Sequence, residues 1–498
     1  MRPPCRGRRG RPRARPWTAG GQGAVAETAY GEPAAVGQDA GPTAGKGTGA
    51  GTAARTREVC EGAPRRQTAR ESAARTYPRA LPIVPVRARG LIIEGADGRR
   101  YLDCVSGAGA LALGHNHPVV LEAIRKVLDS GAPLQVMDLT TPVEEAFVTE
   151  LSQSLPPGLA GRARVRFCGP SATDAVEAAV AFVRAATGRS RVVSLAGARH
   201  GTAAGEPVPG GGRGDGVLVR PRLPQDHGRP RGGEGDAGSA ARRDESVLGG
   251  HLPGQTAPAG LIVAPVDSEA GVVPAPDAWM RHLRRLTAER SVPLIVDETE
   301  TGAGRTGAFW AVEHSGTTPD VLVLSKAIGG SLPLAAIVHR DDLCAGEPGA
   351  GTFRGNQLAL AAGTATLAHI RANRLAEHAA ALGAGMLARL RGLGAELPCV
   401  GEVRGRGLML GVELVTPDGE GGAAPRTAAA VQRECLRRGL VVDRTGPSAN
   451  VVRLLPPLTI TEDQAAAVLE RLADALRTVA ATAHRPVPAT SGEPREPR

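Results

Sequence analysis

The sequence predicts an α/β fold with a mainly parallel central sheet and a smaller α+β domain. Short apolar segments alternate with amphipathic helical segments between residues 164 and 370. The short segments are continuously apolar, which is typical of strands buried on both faces of a parallel sheet. The chain has 498 residues, of which 42% are hydrophobic, so it can bury the large core that this fold needs.

The elements follow from the apolar pattern. Five segments are predicted to be strands of the central sheet: RVRFC (164–168), RVVSL (191–195), GLIVAPV (260–266), VPLIVD (292–297) and DVLVLS (320–325). A helix is predicted after the first strand, because apolar residues recur there at i, i+3 and i+4: Ala175, Ala178, Ala179, Phe182, Val183 and Ala186. A second buried helix is predicted over 357–370. Strands at 407–414 and 451–456, mixed with helices, indicate the smaller domain.

Composition divides the chain into domains and tails. Residues 1–70 are predicted to be a disordered basic extension, and the Pro-rich residues 482–498 a tail. Residues 203–258 have no apolar period, so they are predicted to be an irregular insert or a degenerate segment. The other ranges are assigned to the N-terminal part of the small domain (71–130), the large domain (131–375, containing the insert) and the C-terminal part of the small domain (376–481).

The charge and cysteine patterns exclude several classes of protein. Residues 1–70 carry 13 Lys or Arg against five Asp or Glu, which accounts for most of the net charge of +10. The folded part therefore lacks the basic face of a nucleic-acid-binding protein, although the composition of the N-terminal extension is compatible with an organelle transit peptide. No apolar run reaches 18 residues, so no membrane span is predicted. The seven cysteines are scattered, which favours a cytoplasmic protein without a structural metal.

Lysine is rare in this chain, and that makes Lys326 conspicuous. Of the 60 Lys and Arg residues, only Lys46, Lys126 and Lys326 are lysines. Arginine would serve wherever only a positive charge is needed, whereas lysine can lose its proton and act as a nucleophile. Lys326 follows a predicted buried strand, where ligands of open α/β sheets collect. We therefore expect Lys326 to perform covalent chemistry.

Other polar residues also follow predicted strands. Ser171, Ala172 and Thr173 lie between a strand and a helix start, where they could bind a phosphate or simply cap the helix. Asp297 ends a buried strand, and a buried carboxylate needs a partner such as a protonated pyridine nitrogen. Arg453 lies within an apolar strand, which indicates pairing with a carboxylate of the protein or of a substrate.

Two motifs suggest different functions. Gly302, Gly304 and Gly307 form a GxGxxG pattern, with Asp320 downstream, as in a dinucleotide-binding dehydrogenase. Acidic residues precede these glycines, where they would repel a pyrophosphate, and no long helix follows Gly307. The GHNHP stretch at 114–118 is better explained as a turn than as a metal site, because no further Cys or His cluster supports one.

A phosphate cradle, an acid for a pyridine nitrogen and a lysine for an aldehyde are together what a pyridoxal phosphate enzyme needs. The chain resembles the class III aminotransferases of fold type I over most of 71–480 apart from 203–258, and among them the diaminobutyrate–2-oxoglutarate group. The stretches that carry the resemblance are YLDCVSGAGALALGHNHP, FCGPSATDAVEAA, IVDETETGAGRTG, DVLVLSKAIGGSLPLA, GTFRGNQLALAAG, VRGRGLMLGVEL and VVRLLPPL.

The resemblance implies a pyridoxal phosphate site and a role for each residue that matches the family's pattern there. Lys326 would bond to the cofactor aldehyde and later move the proton, and Asp297 would keep the ring nitrogen protonated. The phosphate would bind Ser171, Ala172 and Thr173, with Thr352 coming from the other subunit of a homodimer. The cofactor pocket would also contain His200 and Glu300.

The resemblance also implies the substrates, an amino acid and a 2-oxo acid. Arg453 would bind the α-carboxylate of glutamate or 2-oxoglutarate, and Glu269 would shield this arginine when a diamine binds. The terminal amino group would move between L-2,4-diaminobutyrate and 2-oxoglutarate, giving aspartate 4-semialdehyde and glutamate. The alternatives are another ω-amine donor (ornithine, lysine or 4-aminobutyrate) and an aminomutase or decarboxylase relative.

The sequence departs from the family pattern around the cofactor. Arg199 occupies an aromatic position before His200, and Glu300 replaces a glutamine that donates a hydrogen bond to the cofactor. At three further positions this chain has Ala172 where the family has Gly, Ala264 where it has Glu, and Asp267 where it has Gln. A pseudoenzyme with weakened cofactor binding is therefore a further alternative.

Overall fold

The structure is a computed structural model that describes residues 81–195, 257–344, 352–417 and 422–483. All of these belong to one unit of the chain, which begins at Tyr77. The predicted extension and nearly all of the predicted insert lie outside the described residues. The division into a large and a small domain stays a prediction.

Eight α-helices are described: α1 (Pro118–Asp129), α2 (Pro142–Ser154), α3 (Ala172–Thr187), α4 (Asp277–Glu289), α5 (Gln357–Ala372), α6 (Leu375–Glu396), α7 (Pro425–Arg437) and α8 (Glu462–Ala483). The strands in the same ranges are β1 (Pro85–Arg89), β2 (Ile92–Gly95), β3 (Arg100–Asp103), β4 (Ala163–Phe167), β5 (Val192–Leu195), β6 (Gly260–Val263), β7 (Val266–Asp267), β8 (Val273–Pro274), β9 (Leu294–Asp297), β10 (Val321–Leu324), β11 (Ala336–Arg340), β12 (Val400–Arg406), β13 (Met409–Leu414), β14 (Leu440–Val441), β15 (Asp443–Thr445) and β16 (Val451–Leu454).

The central sheet has six strands in the order β4-β11-β10-β9-β6-β5. Neighbouring strands β5, β6, β9 and β10 are parallel, and β11 is antiparallel to both of its neighbours. Every residue of these four parallel strands is buried. The prediction of a mainly parallel sheet with two buried faces is confirmed, while β11 was not predicted.

The two faces of the sheet pack into different hydrophobic clusters. Along β10, Leu322 and Leu324 belong to one cluster, and Val321 and Val323 belong to the other. This division follows from the alternation of side chains along a strand. Helix α3 covers the second face, whereas α2 and α5 contribute to the first cluster.

Local signals explain where the helices begin and end. Ser171 caps α3 in a capping box, and Gly188 ends that helix in the left-handed conformation at φ 68°. The Asn356 side chain accepts hydrogen bonds from two backbone N–H groups of α5. Helix α1 begins at Pro118, the last residue of the GHNHP stretch, and its Lys126 side chain is 75% exposed.

Two further four-stranded sheets are formed by strands that come before and after the central sheet in the chain. The first has the order β1-β2-β3-β14, and the second has the order β12-β13-β16-β15. Strand β14 pairs in parallel with β3, so segments from the two ends of the described chain share a sheet. The strands predicted at 407–414 and 451–456 are β13 and β16, whereas β1 to β3 were not predicted.

No α-helix in the described ranges has the length and apolarity needed to cross a membrane. Within the same part of the chain, no group of three or more His, Cys, Asp or Glu residues is arranged to hold a metal ion.

Candidate active site

Lys326 is the second residue after β10, at the start of a 3-10 helix (Lys326–Gly329). Its φ of 55° is in the left-handed region, which costs a residue other than glycine roughly 1–3 kcal/mol. The side chain is 24% exposed. Its Nζ donates a hydrogen bond to the Ala108 carbonyl oxygen (3.2 Å) and pairs with the Glu300 carboxylate. The amine is therefore held in a largely buried site at the carboxyl end of the sheet.

Asp297 is the last residue of β9 and is buried. Strand β9 runs parallel to β10, with Asp297 opposite Val323. The Thr299 backbone N–H donates to Asp297 Oδ1 (3.0 Å). Because parallel strands end at the same edge of a sheet, Asp297 and Lys326 lie at one edge, where ligands of open α/β sheets bind.

Glu300 connects the lysine to a second cation. Its Oε1 pairs with Lys326 Nζ, and its Oε2 lies 3.4 Å from Arg453 Nη1. Burial would raise the pKa of Glu300, but the charges of Lys326 and Arg453 outweigh burial and hold that pKa below its ordinary value. Glu300 is therefore ionised at neutral pH and bridges the amine and the guanidinium.

Arg453 has partners that the sequence did not reveal. It belongs to β16 and is buried. Its Nη1 donates to the Ser268 hydroxyl, and its Nη2 donates to Asp443 Oδ2 (2.5 Å). Burial alone would lower the pKa of Arg453, but the charges of Glu300 and Asp443 raise it. Its Nε is a buried donor without a hydrogen-bond partner in the described ranges, which leaves this guanidinium able to bind a further acceptor.

The start of α3 is capped, as one of the two interpretations of residues 171–173 predicted. The Ser171 hydroxyl accepts from the Asp174 backbone N–H (3.1 Å) and donates to the Asp174 carboxylate (2.7 Å). The first intrahelical bond runs from Ala175 N–H to Ser171 carbonyl oxygen. The N–H groups of Ala172 and Thr173 precede it and can donate to an anion. The cap and a phosphate site are therefore compatible.

The structure does not bring every predicted residue to this site. The Thr352 side chain is exposed, and its carbonyl oxygen accepts from Gln135 Nε2 (3.1 Å). The Glu269 side chain is also exposed, and in the described ranges it forms no ion pair with Arg453. His200 and Arg199 lie outside the described residues. The roles of Thr352, Glu269 and His200 stay predictions.

Comparison with known proteins decides the family. The family model for class III aminotransferases matches residues 73–476. The chain belongs to the class III aminotransferases.

Curated relatives of this aminotransferase carry a more specific name. A diaminobutyrate–2-oxoglutarate aminotransferase of Rhizobium meliloti is 47% identical over 82% of the chain and 92% of its own length. A protein of the same name from Haemophilus influenzae is 39% identical over 83% of the chain and 95% of its own length.

Solved structures of transaminases share the fold. An (S)-enantioselective ω-transaminase of Thermomicrobium roseum superposes with a TM-score of 0.73 at 26% identity, covering 88% of this chain and 100% of that one. An amine transaminase from an uncultivated Pseudomonas species, in its PLP-bound form, gives a TM-score of 0.72 at 28% identity and covers 82% and 98% of the two chains. The fold type I architecture predicted from the sequence is confirmed.

In this aminotransferase the GxGxxG pattern serves packing. A Cβ on Gly302 would come within 2.6 Å of the Trp310 ring. Asp320 lies before β10, pairs with Arg284 (2.6 Å) and Arg340 (2.9 Å), and accepts from the Leu294 backbone N–H. It is therefore a structural residue, unlike the ribose-binding acid of a dinucleotide site.

Glu298, beside Asp297, is a second buried acid of the aminotransferase. Burial raises the pKa of Glu298 to about 7. Its carboxylate accepts hydrogen bonds from the Thr301 hydroxyl (2.6 Å) and the Val312 backbone N–H (2.8 Å). These contacts hold the loop after β9 in place, so Glu298 supports the site without facing Lys326.

Proposed function

We propose that this aminotransferase moves the terminal amino group between L-2,4-diaminobutyrate and 2-oxoglutarate, with pyridoxal phosphate as its cofactor. The products are aspartate 4-semialdehyde and glutamate. The observation that carries the proposal is that one carboxylate, Glu300, contacts both Lys326 and Arg453. An amine and a guanidinium this close can act on a small molecule that has a carbonyl group near a carboxylate. The names of the two relatives supply the choice of substrates.

The residues at this edge fit pyridoxal phosphate. When bound, the cofactor supplies an aldehyde and an electron sink. The buried Asp297 carboxylate would hold a proton on the ring nitrogen, and the N–H groups of Ala172 and Thr173 would bind the phosphate. Lys326 would hold the aldehyde and move a proton at the substrate carbon. The guanidinium of Arg453, whose Nε has no hydrogen-bond partner in the described ranges, would bind the substrate carboxylate through its N–H groups.

We further propose that the enzyme forms a homodimer and acts in the cytoplasm. Large apolar side chains are exposed on neighbouring segments: Leu134, Met137, Leu139 and Phe353. The two segments are joined by hydrogen bonds, among them Gln357 N–H to the Leu134 carbonyl oxygen (3.1 Å). Such a patch favours an interface. Thr352 lies beside Phe353 at this patch, and its contribution to the site of a second copy is what the family resemblance implies.

The test begins with the visible absorption of the purified protein after addition of pyridoxal phosphate. Borohydride trapping and mass mapping should locate the cofactor on Lys326, and Lys326→Ala should abolish the adduct. Glutamate formation from 2-oxoglutarate is then measured with L-2,4-diaminobutyrate, ornithine, lysine and 4-aminobutyrate as separate donors. We expect the highest kcat/KM with diaminobutyrate.

Each other outcome has a distinct meaning. A higher kcat/KM with ornithine, lysine or 4-aminobutyrate would replace the proposed donor. A folded protein that takes up no cofactor at saturating concentration would support the pseudoenzyme alternative instead. A protein that elutes as a monomer at micromolar concentration would contradict the proposed homodimer.

A further inference from the structure

The loop between β7 and β8, residues 268–272, lies against the arginine proposed to bind the substrate carboxylate. The two strands form an antiparallel pair. At the first position of the loop, the buried Ser268 hydroxyl accepts a hydrogen bond from Arg453 Nη1 and donates one to the Glu300 carboxylate. Because both bonds start from one small side chain, the position of the loop backbone determines where this hydroxyl meets the guanidinium.

The backbone of this loop is strained. Val272 is fully buried and has a φ of 58°, in the left-handed region that a β-branched residue rarely adopts. Its neighbour Gly271 has a φ of 104°, and a Cβ there would lie 2.8 Å from Arg404 Nη2 and 2.9 Å from Val451 Cγ2. Strained backbone persists only where the surrounding structure holds it, and it is concentrated at functional sites. The contacts that hold the loop are therefore candidates for a functional role.

In the described ranges, three donors from neighbouring segments bond to carbonyl oxygens of the loop. Arg404 Nε in β12 donates to the Gly271 carbonyl oxygen (2.8 Å), and the Gly446 backbone N–H donates to a second carbonyl oxygen (3.1 Å). The third donor is the buried Thr445 hydroxyl in β15, which bonds to the Ser268 carbonyl oxygen (2.8 Å). Arg404 also pairs with two carboxylates. Only the Thr445 bond can therefore be removed without breaking an ion pair or changing the backbone.

We propose that Thr445 is a positioning residue for Arg453 and acts through Ser268, an inference that rests on the proposed function. Strand β15 pairs with β16, so Thr445 and Arg453 belong to adjacent strands of one sheet. The Thr445 hydroxyl holds the Ser268 backbone, and the Ser268 side chain in turn holds Arg453 Nη1. Asp443 holds Nη2 (2.5 Å). A guanidinium that is already held in one orientation loses less conformational freedom when it binds a carboxylate.

The test compares two variants of Thr445 in the purified full chain supplied with pyridoxal phosphate and saturating L-2,4-diaminobutyrate. Thr445→Val keeps the shape of the side chain but removes its donor, whereas Thr445→Ser keeps the donor. For Thr445→Val we expect the KM for 2-oxoglutarate to rise about fivefold, equivalent to about 1 kcal/mol, with kcat changed less than about twofold. For Thr445→Ser we expect KM to change less than about twofold.

Thr287→Val is the matched control, because the Thr287 side chain is also buried and its hydroxyl also donates to a backbone carbonyl, that of Arg284 in α4 (3.0 Å). We expect this control to leave the KM for 2-oxoglutarate unchanged. Equal changes of KM in Thr287→Val and Thr445→Val would overturn the inference. Thermal melting checks that each variant is folded.

A double-mutant cycle with Arg453→Met shows whether Thr445 acts through the arginine. If it does, Thr445→Val should change kcat/KM for 2-oxoglutarate less than about 1.5-fold in the Arg453→Met protein. A loss of about fivefold in both backgrounds would overturn the inference. Ser268→Ala removes the hydroxyl that contacts the guanidinium and should raise KM at least as much as Thr445→Val. An unchanged KM in Ser268→Ala would overturn the inference even if Thr445→Val did not fold.

Failure of the proposed function gives a different result. A wild-type protein that forms no glutamate would reject the proposed function and with it this inference. An Arg453→Met protein whose KM for 2-oxoglutarate equals that of the wild type would do the same for the role of the arginine. The loss expected for Arg453→Met, together with an unchanged KM in folded Thr445→Val, would reject the inference alone.

Discussion

Replacing Arg453 with methionine should weaken use of 2-oxoglutarate without unfolding the protein. Methionine keeps a long unbranched side chain in the buried strand β16 but removes the guanidinium. Of the partners left behind, the Asp443 side chain is 36% exposed and can be hydrated, and Glu300 retains Lys326. The Ser268 hydroxyl still donates to Glu300. The loss should therefore fall on substrate binding.

The magnitude follows from the bonds that a bound carboxylate would lose. A hydrogen bond to a charged group contributes about 1.5–3 kcal/mol, and the guanidinium of Arg453 can make two such bonds to one carboxylate. Taking about 3 kcal/mol for the pair, kcat/KM for 2-oxoglutarate should fall roughly 150-fold.

The assay separates the two half-reactions. Steady-state rates with varied 2-oxoglutarate give kcat/KM for the acceptor, and single-turnover absorbance changes with L-2,4-diaminobutyrate give the donor half-reaction. We expect the donor half-reaction to change less than about fivefold. Arg444→Met is the matched control, because Arg444 lies on the neighbouring strand β15 and contacts Gln432 (3.0 Å) and the Ala449 carbonyl oxygen.

Two results would refute this reasoning. One is an equal loss in both half-reactions, with the cofactor absorbance and melting temperature of Arg453→Met unchanged. The other is a loss in Arg444→Met as large as that in Arg453→Met, because a general effect of removing an arginine from this sheet would then explain both.

Two further predictions concern stability. Burial lowers the pKa of His117 and of His369, which lie 4.8 Å apart between ring centroids. As the pH falls below about 6.5, the unfolded chain therefore binds more protons at these two histidines than the folded chain does. The free energy of unfolding decreases as a result. His117→Asn/His369→Gln should lose less melting temperature than the wild type between pH 7.5 and 5.5, and an equal loss would contradict this. In α6, a Cβ on Gly383 would lie 2.1 Å from the Gly407 carbonyl oxygen, whereas one on Gly385 meets nothing. Gly383→Ala should destabilise by about 1–3 kcal/mol and Gly385→Ala stabilise by roughly 0.5–1 kcal/mol in denaturant titrations, and changes of the same sign would count against the packing.

Much of the central sheet was predictable from local pattern. Apart from Ser194 in β5 and Asp297 in β9, strands β5, β6, β9 and β10 have no polar side chains on either face, so their segments stand out in the sequence. Strand β11, whose last residues His339 and Arg340 are only half-buried, was not predicted. Its place depends on antiparallel pairing with β10 and β4, which no local pattern encodes.

The site was predictable in its positions but not in its contacts. Lys326 and Asp297 follow buried strands, and that placement alone indicated an edge where ligands bind. Asp443 could not be assigned to Arg453, because their pairing arises from the register between β15 and β16. Glu300 was expected beside the cofactor, but its bridge between Lys326 and Arg453 depends on three segments meeting in space.

The scarcity of lysine has a practical consequence for handling this enzyme. Of the two lysines in the described ranges, Lys126 is 75% exposed on α1, whereas Lys326 is 24% exposed and paired with Glu300. An amine-reactive surface or dye should therefore couple at Lys126 much faster than at Lys326. Among the lysines of the described ranges, Lys126 is therefore the favoured coupling site. Mild coupling near pH 8 could then attach the enzyme to a support in a small number of orientations while its own reactive amine stays unmodified.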